Sequence, residues 1–471
     1  MVQVLKYLSC ELSLVVGGIL LLILEVVLKK REKLLGIIAW GCILIAYVFL
    51  FLTPITELYF GLNTKILILD NFSRYFKGIF LLFCLLTVLI SFNLLKKLDH
   101  PGAYLGLLLF ATSGSSLLAS CNELLSLYIS LEILSISCYI LVAILKEERA
   151  TEAAIKYVIF GLLSSGIFLY GISLLYGNLQ TTCIDRFVEG SALDKSLLIL
   201  SILLILVGIG FKIGSFPFCF WIPDVYQGAS SPIAGYISTV SKAAGLVILI
   251  RILFAGFSWI LEEFLPIFCI ISALTMAYGT TCALLQKDIK RMLGYSSIAH
   301  IGFMLIGISM GINQDLSAVL FYILVYGLAN ISIFAIAFNT EKLTNNNIEN
   351  YAGLARLVPI VGFFMVIYLV SLTGIPPLAG FIGKFYLFAA AISQRVFWLA
   401  ILGVIFSVVS IFYYFNILKE MYINEPKFSL NNGKLLIPLG IKIVCILSAI
   451  LIIGLGIYPE ILLKICRICL F

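Results

Sequence analysis

The sequence is poor in charge. Only 12% of its 471 residues are Asp, Glu, Lys or Arg, against roughly a quarter in soluble domains, and 62% are hydrophobic. With a mean hydropathy of +1.14, the chain is expected in a lipid bilayer as an all-α polytopic protein. It has just two histidines, His100 and His300. With the cysteines scattered, this leaves too few ligands for haem or an iron–sulfur cluster. Neither GxxxxGK[ST] nor GxGxxG occurs, so the usual phosphate-cradling loops are missing. The N-terminus lacks the basic, apolar, small-residue pattern of a cleaved signal peptide. No polar stretch is long enough for a sizeable soluble domain. The net charge of +7 comes from cations dispersed between apolar runs, so nucleic-acid binding is not expected.

The 12 cysteines fall singly in apolar runs, apart from Cys466 and Cys469 in KICRICLF. A lone CxxC without a second ligand pair reads as buried thiols rather than a metal site. No cofactor or redox chemistry is expected in this chain itself.

Hydropathy and charged breaks place spans near 12–28, 34–53, 78–95, 102–120, 122–144, 153–176, 196–220, 231–256, 264–285, 292–311, 314–338, 358–392, 396–418 and 437–457. Lys and Arg gather in the odd-numbered connections, beginning with Lys29, Lys30, Arg31 and Lys33, which predicts both termini on the non-cytoplasmic side. Segment 54–77 is the largest outer connection, and 419–436 carries the charges of the last inner one. Two spans hold helix breakers. Gly208, Gly210 and Gly214 surround Lys212 and lead into Pro217; Gly374, Pro376, Pro377 and Gly380 precede Lys384. Interruptions five spans apart suggest an inverted five-helix repeat. The predicted layout is 1–101, 102–256 and 264–418 as three N-terminal helices and two repeats, then 419–471 as an inner loop and last helix.

An ionised side chain at a span's centre costs about 2.5–3.5 kcal/mol on insertion scales, which makes it a functional candidate. Glu132, Lys242, His300 and Lys384 are central in their spans, and Lys212 lies in the interrupted seventh. Burial favours a neutral lysine and a nearby carboxylate favours a charged one; at an effective dielectric near 20, a pair about 4 Å apart is worth roughly 4 kcal/mol. Making and breaking such a pair can therefore switch a lysine. A Glu132–Lys212 pair that alters the charge on Lys242, with the proton passing by water and His300 to Lys384, is the expected path. Static ion pairs, and a satisfied core histidine at His300 beside Ser296 and Ser297, are the competing readings. Glu25 reads as a helix-end pair with Lys29. Lys156 and Lys442 are expected to snorkel to the interface. Tyr322, Tyr326 and Asn330 share one face of their span, as a hydrogen-bonding interface or a water-lined path. Asp224 reads as capping and loop structure, with a proton-entry carboxylate as the alternative.

Three segments carry a resemblance: GFKIGSFPFCFWIPDVYQGASSPIAGYISTVSKAAG (210–245), KRMLGYSSIAHIGFML (290–305) and SLTGIPPLAGFIGKFYLF (371–388). They resemble the antiporter-like membrane subunits of respiratory complex I, a family that includes subunits of Mrp-type sodium/proton antiporters and of membrane-bound hydrogenases. Lys384 and the short C-terminal region are similar to its N-type branch. The resemblance implies that Glu132 and Lys212 are the family's charge pair, Lys242 its central lysine, Lys384 its exit-side lysine and His300 its tenth-span histidine. Relatives usually carry histidine where Cys219 stands, and a thiol is no near-neutral proton carrier unless its acidity is raised. The resemblance further implies proton translocation in a cell (plasma or inner) membrane as a non-redox subunit of an NADH:quinone oxidoreductase translocase. The expected partners are other membrane subunits and, through them, a peripheral redox arm with FMN and iron–sulfur clusters. Quinone is the implied substrate of the whole complex. An Mrp-type antiporter subunit and a non-transporting scaffold are the alternatives.

Overall fold

Apolar runs of about twenty residues form helices here because a bilayer gives backbone polar groups no other partner. A computed structural model describes residues 7–28, 31–60, 64–187, 194–311, 316–426 and 437–470. Thirteen of its helices are long and apolar enough to cross a membrane, and two shorter ones, Pro359–Thr373 and Ala379–Ser393, together occupy the interrupted twelfth span. The fourteen predicted spans are therefore each matched by helix. Lys29, Lys30 and 427–436 of the last inner loop lie outside the described residues. The chain divides into two compact units, one of residues 1–214, 240–264 and 468–471, the other of 215–239 and 265–467.

The first unit contains α1 (Ser9–Leu28), α2 (Glu32–Leu52), α3 (Asn71–Leu95), α4 (Pro101–Ser120), α5 (Leu124–Val142), α6 (Glu148–Leu179), α7 (Lys195–Ile213) and α10 (Lys242–Ile250). Successive helices pack on one another, α1 also packs on α4, and α10 rests on α7 and α4. Between α2 and α3 the chain forms an antiparallel hairpin, β1 (Thr56–Phe60) and β2 (Thr64–Leu69), in which Thr56 pairs with Leu69. The segment 54–77 is thus not a plain connection. Asp70 starts α3 through a capping box with Ser73, so Lys77 falls inside the helix and is buried.

The second unit contains α8 (Trp221–Gly228), α9 (Ser231–Tyr236), α11 (Leu261–Leu284), α12 (Ile289–Ile308), α13 (Ser317–Thr344), α14 (Leu354–Leu357), α15 (Pro359–Thr373), α16 (Ala379–Ser393), α17 (Phe397–Tyr422), α18 (Leu439–Ile457) and α19 (Pro459–Ile468). The first four residues of α11 cluster with the first unit. Helices α12 and α13 have no one-sided apolar stripe and are almost wholly buried, the pattern of a core helix. Helix α13 packs against α9, α12, α15, α16 and α18.

The two predicted interruptions differ in form. Helix α7 runs unbroken through Gly208 and Gly210 and stops at Gly214, whose φ of +76° favours glycine. At Gly208 a Cβ would stand 2.5 Å from the Phe168 Cβ of α6, so this glycine serves close packing rather than loosening the helix. The seventh span therefore ends at Ile213, and WIPDVYQG forms a separate short helix, α8. In the twelfth span, α15 stops at Gly374 (φ +85°) and α16 begins at Ala379.

Candidate functional site

In the first unit, Glu132 is half-buried on α5, and its Oε1 accepts a hydrogen bond from Ser165 Oγ of α6 at 2.5 Å. One turn along α5, buried Ser135 donates to the Leu131 carbonyl and accepts from the Lys212 Nζ of α7. The Lys212 ammonium lies 5.6 Å from the Tyr139 ring centroid and 5.7 Å from that of Phe211. The expected direct Glu132–Lys212 ion pair is not formed among the described residues. Glu132 sits on the flank of α5 turned to α6, and Ser135 occupies the position against Lys212. The two side chains share no hydrogen bond among the described residues, and their bonded partners lie a turn of α5 apart.

Lys242 is the first residue of α10, directly after a π-helical turn, Ile237–Ser241. Such a turn widens the helix and leaves its carbonyls out of the i→i−4 register. A Cβ at Gly245 would lie 2.7 Å from Ile213 Cγ2 and 3.3 Å from Lys212 Cβ, so the Lys242 helix presses on the end of the Lys212 helix. Both lysines are 2% exposed.

The second unit holds the other two predicted residues. His300 of α12 has both ring nitrogens engaged: Nδ1 is 2.7 Å from the Tyr322 hydroxyl and Nε2 is 3.0 Å from that of Tyr414, which also bonds Ser296 Oγ. In a neutral imidazole one nitrogen donates and the other accepts, so this Ser–Tyr–His–Tyr chain can reverse its polarity by changing tautomer. Tyr326 lies beside the imidazole, 5.1 Å between centroids, and accepts from Asn330 Nδ2 at 3.1 Å.

Lys384 of α16 is 2% exposed. Its Nζ donates to the Thr373 carbonyl at 3.0 Å and to Ser407 Oγ at 3.0 Å, and Ser407 in turn donates to Thr373 O at 3.1 Å. Thr373 is the last residue of α15, so the broken helix supplies the carbonyl that holds the lysine. The ammonium also lies 4.5 Å from the Phe303 ring centroid.

Several charged groups escape sequence reasoning. Lys77 and Glu11 form a buried ion pair at 2.7 Å, and Arg251 is bound by Asp70. Glu25 accepts from the Ala103 amide at the start of α4 (3.1 Å), and its other oxygen is 3.5 Å from His100 Nδ1. It caps a neighbouring helix; its expected partner Lys29 lies outside the described residues. Asp224 lies within α8 and binds Arg291 Nη1 at 2.5 Å, and Gln227 accepts from the same nitrogen at 3.1 Å. It anchors α8 to α12 rather than capping. Asp288 caps α12, and burial raises its carboxyl pKa. Lys156 pairs with Glu152 at 2.8 Å. Cys219 is fully buried.

Residues 121–410 match the family model described as "NADH:quinone oxidoreductase/Mrp antiporter, TM". The chain belongs to this family. It is 40% identical over 400 residues to NADH-quinone oxidoreductase subunit N of Moorella thermoacetica, covering 83% of each chain. It is 36% identical to the protein of the same name from Heliobacterium modesticaldum, covering 96% of each. A chain of respiratory complex I from Thermus thermophilus superposes with a TM-score of 0.82 at 30% identity, over 97% of this chain and 98% of that one. A chain of the Mrp complex from Dietzia has the same fold, with a TM-score of 0.87 at 18% identity, covering 99% and 97%.

Proposed function

We propose that the chain is the proton-translocating membrane subunit of an NADH-quinone oxidoreductase. Quinone reduction takes place in neighbouring subunits, and this chain moves protons through Glu132, Lys212, Lys242, His300 and Lys384. The observation that carries the reading is that three lysines, each 2% exposed, are held inside apolar membrane helices. Keeping ionisable groups there is costly, and a proton path is a use that requires it. The local chemistry supports separate tasks. A change at Glu132 or Ser165 reaches Lys212 through one turn of α5, and Lys212 shares a helix contact with Lys242. The Ser296–Tyr414–His300–Tyr322 chain relays a proton by tautomer exchange, and Lys384 gives it up on leaving the Thr373 carbonyl. Residues 102–256 and 264–418 act as the two inverted repeats, with both termini on the non-cytoplasmic side of the plasma membrane. FMN and iron–sulfur clusters reside in a peripheral arm reached through other membrane subunits.

Mild-detergent purification of the tagged chain tests the assignment, with assays of co-purifying proteins, bound flavin, iron and quinone reductase activity. A co-purifying redox arm is expected. Recovery of membrane subunits alone, with sodium-driven proton exchange in vesicles, would contradict it in favour of an Mrp-type antiporter. Intact complexes whose transport ignores every lysine substitution would leave only a scaffold.

A further inference from the structure

Resting on that proposed function, we infer that Arg251, clamped by Asp70, is a proton stop that closes the outer side of the Lys242 helix. Arg251 follows Lys242 by nine residues along one continuous helix, a rise of roughly 13 Å, and opens a second π-helical turn, Arg251–Gly256. It is 2% exposed. Its Nη1 and Nη2 each donate to one Asp70 carboxylate oxygen at 3.1 Å, and Nη2 also donates to the Ala119 carbonyl of α4 at 2.8 Å. Its guanidinium carbon lies 5.2 Å from the Phe72 ring centroid. Asp70 is immobilised as well, since its Oδ1 caps α3 by accepting the Ser73 amide at 2.7 Å. The side chain of Asp70 is 27% exposed against 2% for Arg251, so the positive end of the ion pair is the more deeply buried one.

A proton hops along a wire only through groups that both accept and donate. Guanidinium has five donors and no acceptor, and it stays protonated. Placed across a wire, it interrupts the relay, and its fixed charge repels an approaching hydronium, as positive residues do in water-selective pores. Lys242 sits inward of this clamp. A proton released from it is therefore denied a direct route to the outer surface within the first unit, and it must leave by another path.

The test uses the whole complex reconstituted in vesicles that carry a trapped pH dye. Passive proton flux is read under a potassium diffusion potential without electron donor, and quinone reduction by the same preparation reports assembly. Arg251→His, which restores a relay group, is expected to raise passive flux on the order of tenfold, whereas Arg251→Lys stays tight. An Arg251→His complex that reduces quinone and remains tight would overturn the inference, and so would equal leakage from both variants, which would mark a packing role. Should Arg251→His not assemble, Arg251→Gln carries the test: it removes the fixed charge and adds an acceptor, and a tight complex again overturns the inference. Failure of the proposed function is read separately, as an absence of redox-driven proton uptake by the unaltered complex.

Discussion

Lys212 and Lys384 are buried to the same degree, and each donates to a serine hydroxyl that itself donates to a main-chain carbonyl. They differ in where that carbonyl belongs. Ser135 returns its proton to Leu131 on its own helix, so the carbonyl already has a helical partner and the lysine is held by one hydroxyl. Ser407 donates to Thr373, the buried last residue of a broken helix, and Lys384 takes the same carbonyl directly, closing a three-membered set. A helix end is electronegative and leaves carbonyls without partners, so it stabilises the ammonium where an intact helix does not. The lysine at the break therefore has two oxygen acceptors, one of them at a helix end, and the lysine on the intact helix has one hydroxyl with a carboxylate a turn away.

The largest expected break of this comparison comes from truncating the two lysines. Lys384→Ala removes one donor from each of Thr373 O and Ser407 Oγ, with the Ser407–Thr373 bond left in place, and is expected to cut protons moved per electron on the order of tenfold, with about 1–3 kcal/mol of stability lost. Lys212→Ala should lower transport comparably while costing less stability, because it takes a donor from one acceptor, Ser135 Oγ, where Lys384→Ala takes one from two. Thermal unfolding of the purified complexes, followed beside vesicle acidification, checks the difference; equal stability losses would contradict the distinction. A smaller effect is expected from the serines. Ser407→Ala leaves Lys384 its bond to Thr373 O and should destabilise by about 1 kcal/mol and slow transport several-fold, whereas Ser135→Ala takes away the hydroxyl that accepts from Lys212 and should destabilise at least as much. A Ser135→Ala complex as stable as the unaltered one would contradict the role of that hydroxyl in holding Lys212.

The spans were legible in the sequence because the apolar runs are long and bounded by charge, and the break before Lys384 was legible in Gly374, Pro376 and Pro377. The hairpin 56–69 was not, because TELYF and TKILIL read as apolar pieces of a connection whose pairing lies in the backbone register. Lys77 was left in that connection because its burial depends on Glu11, sixty-odd residues away in the chain and joined to it only by packing. The π-helical turn before Lys242 has no residue signature. Nor was Tyr414 distinguishable from its aromatic neighbours on α17 until His300 was seen to face it. The expected Glu132–Lys212 contact misses for a related reason: sequence spacing places both residues in membrane helices but does not say which flank of α5 faces α7.

The most direct test of the central claim is the number of protons moved per electron by an assembled complex carrying Lys242→Ala, measured in sealed vesicles beside its rate of quinone reduction. The account predicts that assembly persists while pumping and coupled turnover fall together. Normal pumping in that complex would contradict it.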